Sequence, residues 1–210
     1  MIIDRILTDI QNKGFSVQEH IFAKEDLLSL KTDILNAYHN NSLAEYSLKA
    51  AGIGKNADLQ KNIRGDQIHW LQKEHLSSTQ EIVWDFLETL KVHFNQNLFF
   101  GLKGFETHVT VYPVNTFYKK HIDQFRLTGQ GMESIDSKFR KISFILYLNE
   151  DWEQSDGGEL RLFDFNDQEK EITTVLPQFG RGVFFLSEDF PHEVLETRRE
   201  RVSMTGWFYQ

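Results

Sequence analysis

From residue 104 to the C-terminus the chain consists of short runs, alternating or continuously apolar, broken by turn signals, and no useful helical period appears there. THVTVY, KISFILYL, ELRLFDF, EITTVL, GVFFL and RVSMTGWFY each read as a strand, and NEDWEQSDGG and PQFGRG read as turns. This half is predicted to fold as sheet. The first hundred residues read differently. Ile2, Ile3, Ile6, Leu7 and Ile10 make one apolar face, with Gly14 placed to stop a helix. Leu27, Leu28, Leu30, Ile34 and Leu35 predict a second helix. Ser78 with Glu81 predicts a capping box opening a third, with Ile82, Val83, Phe86, Leu87, Leu90 and Phe94 on one side. Between the second and third lies LKAAGIGKNADLQKNIRGDQIHWL, a flexible loop or hairpin ending in a short strand near Ile68 to Leu71. Helices first and strands second predict one α+β domain over 1–210. Helical support occupies about 1–100, and a sandwich or jelly-roll barrel occupies about 104–210.

Charge and composition exclude several functions. Lys and Arg number 23 against 31 Asp and Glu, a net charge of −8. An acidic surface repels phosphate, so neither a nucleic acid nor an anionic membrane is the expected partner. Cysteine is absent, which removes disulfides, thiolate metal sites and a Cys nucleophile. No apolar run approaches the ~20 residues of a membrane helix. Asp4, Arg5 and Asp9 interrupt the N-terminal apolar residues, so no secretory signal is read there and a cytoplasmic location is expected.

The chemistry concentrates near His121. His121 and Asp123 stand two apart in YKKHIDQF, and residues two apart on a strand share a face. His192 follows in FPHEVLE. Two His and one carboxylate make a facial triad that leaves three metal positions open. The same set would suit a zinc hydrolase, or a sensor that binds metal without turnover. Arg201 follows in RVSMTGWF, where alternation puts Arg201, Ser203, Thr205 and Trp207 on one face and Val202, Met204 and Gly206 on the other. If the first face is interior, the buried arginine needs an anionic partner, and a dicarboxylate would supply one. His108, two before Thr110 on a strand, could also face inward, whereas His69, His75 and His93 read as surface or core-edge residues. Arg198, Arg199 and Glu200 read as a solvated turn.

The order His-x-Asp, long gap, His, Arg resembles that of the iron(II)- and 2-oxoglutarate-dependent oxygenases. More narrowly, VYPVNTFYKKHID, ILYLNEDW, GGELRLF, FFLSEDFPHEV, RVSMTGWFY and IRGDQIHW resemble the prolyl 4-hydroxylases of the oxygen-sensing type and their bacterial relatives. The likeness runs over about residues 45 to 209. It implies a double-stranded β-helix (jelly-roll) barrel with the N-terminal helices packed on one side. It also implies hydroxylation of a prolyl residue in a protein or peptide, with O2 consumed and succinate and CO2 released. By position it assigns Fe(II) to His121, Asp123 and His192, and the distal carboxylate of 2-oxoglutarate to Arg201 and Tyr147. Tyr112 is placed near the metal, and Thr205 and Trp207 line the pocket. Ascorbate is implied as a helper and elongation factor Tu as a target. Arg64, Asp66 and Trp70 are expected on a substrate lid, with Asp66 paired to Arg140. The chain departs from the subgroup in RLTGQGMESIDSK, a longer loop after the His-x-Asp segment. The same chemistry on free proline, another small molecule or another side chain is the alternative.

Overall fold

The computed structural model describes residues 1–39, 46–52, 62–124 and 139–210. RLTGQGMESIDSK and most of the GIGKNADLQK stretch lie outside the described residues. Three helices, α1 (Ile2–Lys13), α2 (Lys24–His39) and α3 (Ser78–Leu98), form where the apolar spacing predicts them. Helix α1 buries Ile6, Leu7 and Ile10 and stops at Gly14, whose φ of 76° is open to glycine at little cost and whose N–H reaches Ile10 O at 3.0 Å. The capping box of α3 falls one residue earlier than predicted. Ser77 is the N-cap and Gln80 its partner, because Gln80 Oε1 accepts from Ser77 N at 3.1 Å. Val83, Leu87, Leu90 and Phe94 form the buried stripe of α3, one position round from Ile82, which is exposed.

Eleven strands are described: β1 (Phe15–Gln18), β2 (Lys49–Ala50), β3 (Gln67–Trp70), β4 (Gly104–Tyr112), β5 (Tyr118–His121), β6 (Arg140–Tyr147), β7 (Leu160–Phe163), β8 (Glu171–Val175), β9 (Gly182–Leu186), β10 (His192–Val194) and β11 (Arg201–Tyr209). They make two antiparallel sheets, one ordered β1-β9-β6-β11-β4-β3-β2 and one ordered β5-β10-β7-β8. Strand β11 pairs along its full length with β4 on one side and with β6 on the other. Strict alternation then gives the larger sheet two different faces. Val109, Val111, Ile142, Phe144, Val202, Met204 and Phe208 pack with the helices in one apolar core. The opposite face carries Tyr112, Ile145, Tyr147 and Phe185, which meet Leu160, Leu162 and Val194 of the smaller sheet in a second core. Arg201 and Ser203 are on this second face and fully enclosed, as the interior reading required. Among the described residues no helix is long and apolar enough to cross a membrane.

Candidate active site

Between the two sheets lies a cavity of about 830 Å³, walled by the inner faces of both and by the segment from Arg64 to Gln72. Its inner end is built by one register. Strands β5 and β10 pair antiparallel with His121 directly opposite His192. The two imidazoles therefore lie together, ring centres 4.2 Å apart. Asp123 does not share the strand with His121 as the sequence suggested. β5 ends at His121, and Asp123 sits two residues on, outside the strand. It is held instead by β6, where the Ser143 hydroxyl donates to Asp123 Oδ2 at 2.7 Å. Asp123 Oδ1 is 3.6 Å from His121 Nε2, and Oδ2 is 3.6 Å from His192 Nε2. One donor atom from each residue falls within a 4.8 Å cluster.

The donor set fits a divalent metal. His121 Nδ1 lies 2.8 Å from Lys119 O, and His192 Nδ1 lies 3.0 Å from Phe190 O. A carbonyl only accepts, so each Nδ1 carries the proton and each Nε2 keeps a lone pair aimed at the cluster. Burial, followed by the neighbouring His121, pushes the His192 pKa down to about 4, so this ring is a neutral ligand at pH 7. Burial raises the Asp123 carboxyl, but His192, His121 and the Ser143 hydroxyl outweigh it, and the group stays ionised well below the usual carboxylate range. Tyr118 stacks on His121 with ring centres 3.6 Å apart, and Phe185 meets His192 edge-on at 4.9 Å. These rings fix both imidazole planes.

Arg201 is the second component. Its side chain is 1% exposed, with its guanidinium carbon 4.8 Å from the Tyr112 ring centre and 4.9 Å from that of Tyr147. Among the described residues no carboxylate pairs with it, and Arg201 Nε, Tyr147 Oη and Ser203 Oγ are all buried without a hydrogen-bond partner. A buried cation among unsatisfied polar groups calls for an anion with several acceptor oxygens. Gly158 permits this packing. A Cβ there would stand 3.0 Å from Arg201 Cδ, and its φ of 71° disfavours any other residue. Tyr112, Thr205 and Trp207 line the cavity with Arg201, while Tyr147 lies behind them in the second core.

The predicted lid pairing is not formed. Asp66 is bound by Arg64, which donates from Nε at 2.7 Å and from Nη2 at 2.5 Å. Arg140 pairs with Glu106 at 2.7 Å and lies 3.7 Å over the Trp207 ring. The cause is proximity. Arg64 and Asp66 are two residues apart on one arm and can form a bidentate pair, whereas Arg140 faces Glu106 across the β4–β11–β6 ladder. Trp70 lines the cavity and is half-exposed, edge-on to His108 at 4.8 Å and 6.1 Å from Trp207. His108 is buried in the cavity wall, its Nδ1 2.7 Å from Thr110 Oγ, so it faces inward without joining the His–Asp–His cluster. Ser143, Ser187 and Tyr118 were given no role by the sequence reading. Ser143 shares the parity of Tyr147 on β6, a signal that strand alternation alone could have supplied.

The family model described as the 2OG-Fe(II) oxygenase superfamily matches residues 107–209. The chain is 31% identical to Egl nine homolog 1 of Mus musculus over an alignment 215 positions long, gaps included, which covers 100% of this chain and 50% of the mouse protein. It is 26% identical to a Caenorhabditis elegans protein named hypoxia-inducible factor prolyl hydroxylase, covering 99% of this chain and 28% of that one. The chain thus spans half or less of the length of these two relatives. A solved structure of a Pseudomonas putida prolyl-4-hydroxylase superposes with a TM-score of 0.84 at 33% identity, over 100% of both chains. A Trichoplax adhaerens prolyl hydroxylase, in complex with a hypoxia-inducible factor peptide, shares the fold, with a TM-score of 0.81 at 22% identity over 99% of this chain and 89% of that one.

Proposed function

This chain belongs to the 2OG-Fe(II) oxygenase superfamily, among the prolyl hydroxylases, and on that premise we propose that it hydroxylates a prolyl residue of a protein or peptide at C4. Residues 1–210 act as one catalytic unit, whose two sheets form the double-stranded β-helix. His121, Asp123 and His192 hold Fe(II). Arg201 binds the distal carboxylate of 2-oxoglutarate, Tyr147 donates to it, and Tyr112, Thr205 and Trp207 line the pocket. When bound, Fe(II) with 2-oxoglutarate and O2 supplies the oxidation of a C–H bond to C–OH, with succinate and CO2 released.

The observation that supports this reading most is Arg201, a buried guanidinium without a carboxylate among the described residues, in the same cavity as the His–Asp–His cluster. A zinc hydrolase needs a general base beside its water, and Arg201 with Tyr147 serves a dicarboxylate better. The chain's own residues do the rest. Ile145, Leu160, Phe185 and Val194 line the cavity with apolar surface that keeps water off the reacting centre. Trp70, Trp207 and Arg140 line the cavity together, two indole rings and a guanidinium against which a substrate segment can pack. Elongation factor Tu is a target to screen, ascorbate a helper to include in the assay, and the cytoplasm the location to examine first.

Anaerobic titration of the apo-protein with Fe(II) and 2-oxoglutarate tests this reading. A weak visible charge-transfer band is expected for wild type and none for His121→Ala. Iron bound without a band would overturn the assignment of 2-oxoglutarate to Arg201. Proline-containing peptides that gain one oxygen by mass in the assay complete the test.

A further inference from the structure

Asp123 has two carboxylate oxygens, and a facial triad uses one. The structure contains a device that chooses between them. Ser143 Oγ donates to Asp123 Oδ2 at 2.7 Å, and Ser143 Oγ also lies 2.8 Å from Ser187 Oγ. Both serines are buried, at 1% and 0% exposure. A hydroxyl has one proton, and an ionised carboxylate only accepts. Ser143 therefore gives its proton to Asp123 and must accept from Ser187, which leaves one polarity for the chain: Ser187 Oγ–H to Ser143 Oγ–H to Asp123 Oδ2. Donors aligned head to tail strengthen one another in a low-dielectric interior, and the bond to the carboxylate is charge-assisted. Neighbouring strands supply the geometry: β6 pairs with β9, and Ser187, just past the end of β9, donates its backbone N–H to Lys141 O at 3.1 Å.

We propose that Ser143, backed by Ser187, is a positioning residue that commits Asp123 to binding the metal through Oδ1 alone. The proposal rests on the Fe(II) site argued above and adds to it. With one lone-pair site of Oδ2 taken by a hydroxyl, turning that oxygen fully onto the metal would weaken a charge-assisted hydrogen bond, which biases the carboxylate toward one-oxygen binding. A chelating carboxylate would occupy a fourth position and leave two, one short of what a bidentate keto acid and O2 require. The serine pair thus guards the coordination number.

Co(II) is the probe, because its visible d–d absorption reports coordination number without turnover. The proteins are wild type, Ser143→Ala, Ser143→Thr, Ser187→Ala and the double alanine variant, with melting temperature measured for each. Ser143→Ala is expected to bind Co(II) roughly tenfold more weakly, in keeping with the loss of an outer-shell partner, and to show an altered d–d spectrum. Ser143→Thr keeps the hydroxyl and is expected to restore both. Ser187→Ala is expected to cost less, and nothing further once Ser143 is alanine, because its effect passes through Ser143. A merely structural role would instead make the two losses add. An unchanged affinity and d–d spectrum in a folded Ser143→Ala would overturn the proposal while leaving the metal site intact. Failure of wild type itself to bind Co(II), with His121→Ala no different, would overturn the underlying metal site instead.

Discussion

At the scale of single residues, the His–Asp–His cluster and Arg201 were legible from the order His-x-Asp, His, Arg, although the strand expected to carry both His121 and Asp123 ends at His121. Arg201 is the clearest case: alternation along RVSMTGWF put it on one face with Ser203, Thr205 and Trp207, and that face is the one turned to the cavity. The partners of Arg64, Asp66 and Arg140 were not legible. Ion pairing depends on which charges face each other across a ladder, and sequence distance alone does not encode that. The observed pairs make a definite prediction. In Asp66→Asn the Arg64 guanidinium, with a side chain 13% exposed, loses its carboxylate, an expensive state for a largely buried charge. Activity and melting temperature should both fall. Exchanging charges between Asp66 and Arg140 should fail to rescue either, because the two residues are bound to different partners, whereas exchange between Arg64 and Asp66 should recover part of the stability. Rescue by the first exchange, read in the same thermal melts, would contradict the arrangement.

At the scale of elements, the long periodic segments were recovered, and so were the short strands β3, β7, β8 and β9, whereas β1, β2 and β10 were not. α1, α2 and α3 each carry several apolar residues on one face, and β4, β6 and β11 run for eight or nine residues. Strands β1, β5 and β10 read FSVQ, YKKH and HEV, three or four residues each without the apolar run that marks ELRLFDF or GVFFL, so little strand pattern registers from them alone. β5 and β10 nonetheless carry both candidate histidine ligands. Their pairing is a tertiary fact, imposed by β7 on one side and by the close stacking of Tyr118 on His121. The motif was visible in the sequence, but the ladder that makes it a site was not.

At the scale of the whole molecule, the larger sheet separates an apolar core from a polar interior, and the polar side carries a pH dependence. His108 and His192 are both pushed down to about 4, chiefly by burial. For His108, Asp66 pulls upward, while Arg64 and Arg140 add to the depression. An unfolded histidine takes up its proton near pH 6.5, and these folded ones refuse it until about 4. The contribution of these two histidines is therefore complete above pH 6.5, is lost as pH falls through the window, and has no further dependence below about 4. Melting temperatures of the metal-free protein should trace that decline, and His108→Gln should flatten it by about one proton's worth of slope. An unchanged slope would mean that His108 titrates normally. The register of β5 against β10 has one more consequence. Among the described residues β5 is a strand of four residues at the end of the smaller sheet, laddered to β10 on one side and held on the other by a single bridge from Tyr118 to Arg64 and by Lys119 N donating to Ile63 O at 2.9 Å. Such a strand opens readily in isolation. An ion shared by His121 and His192 would rivet its last rung to the sheet, so the amides of Tyr118 to His121 should exchange with deuterium far more slowly once metal is added. The inner end of the cavity would then be knit by the ion that the cavity exists to use.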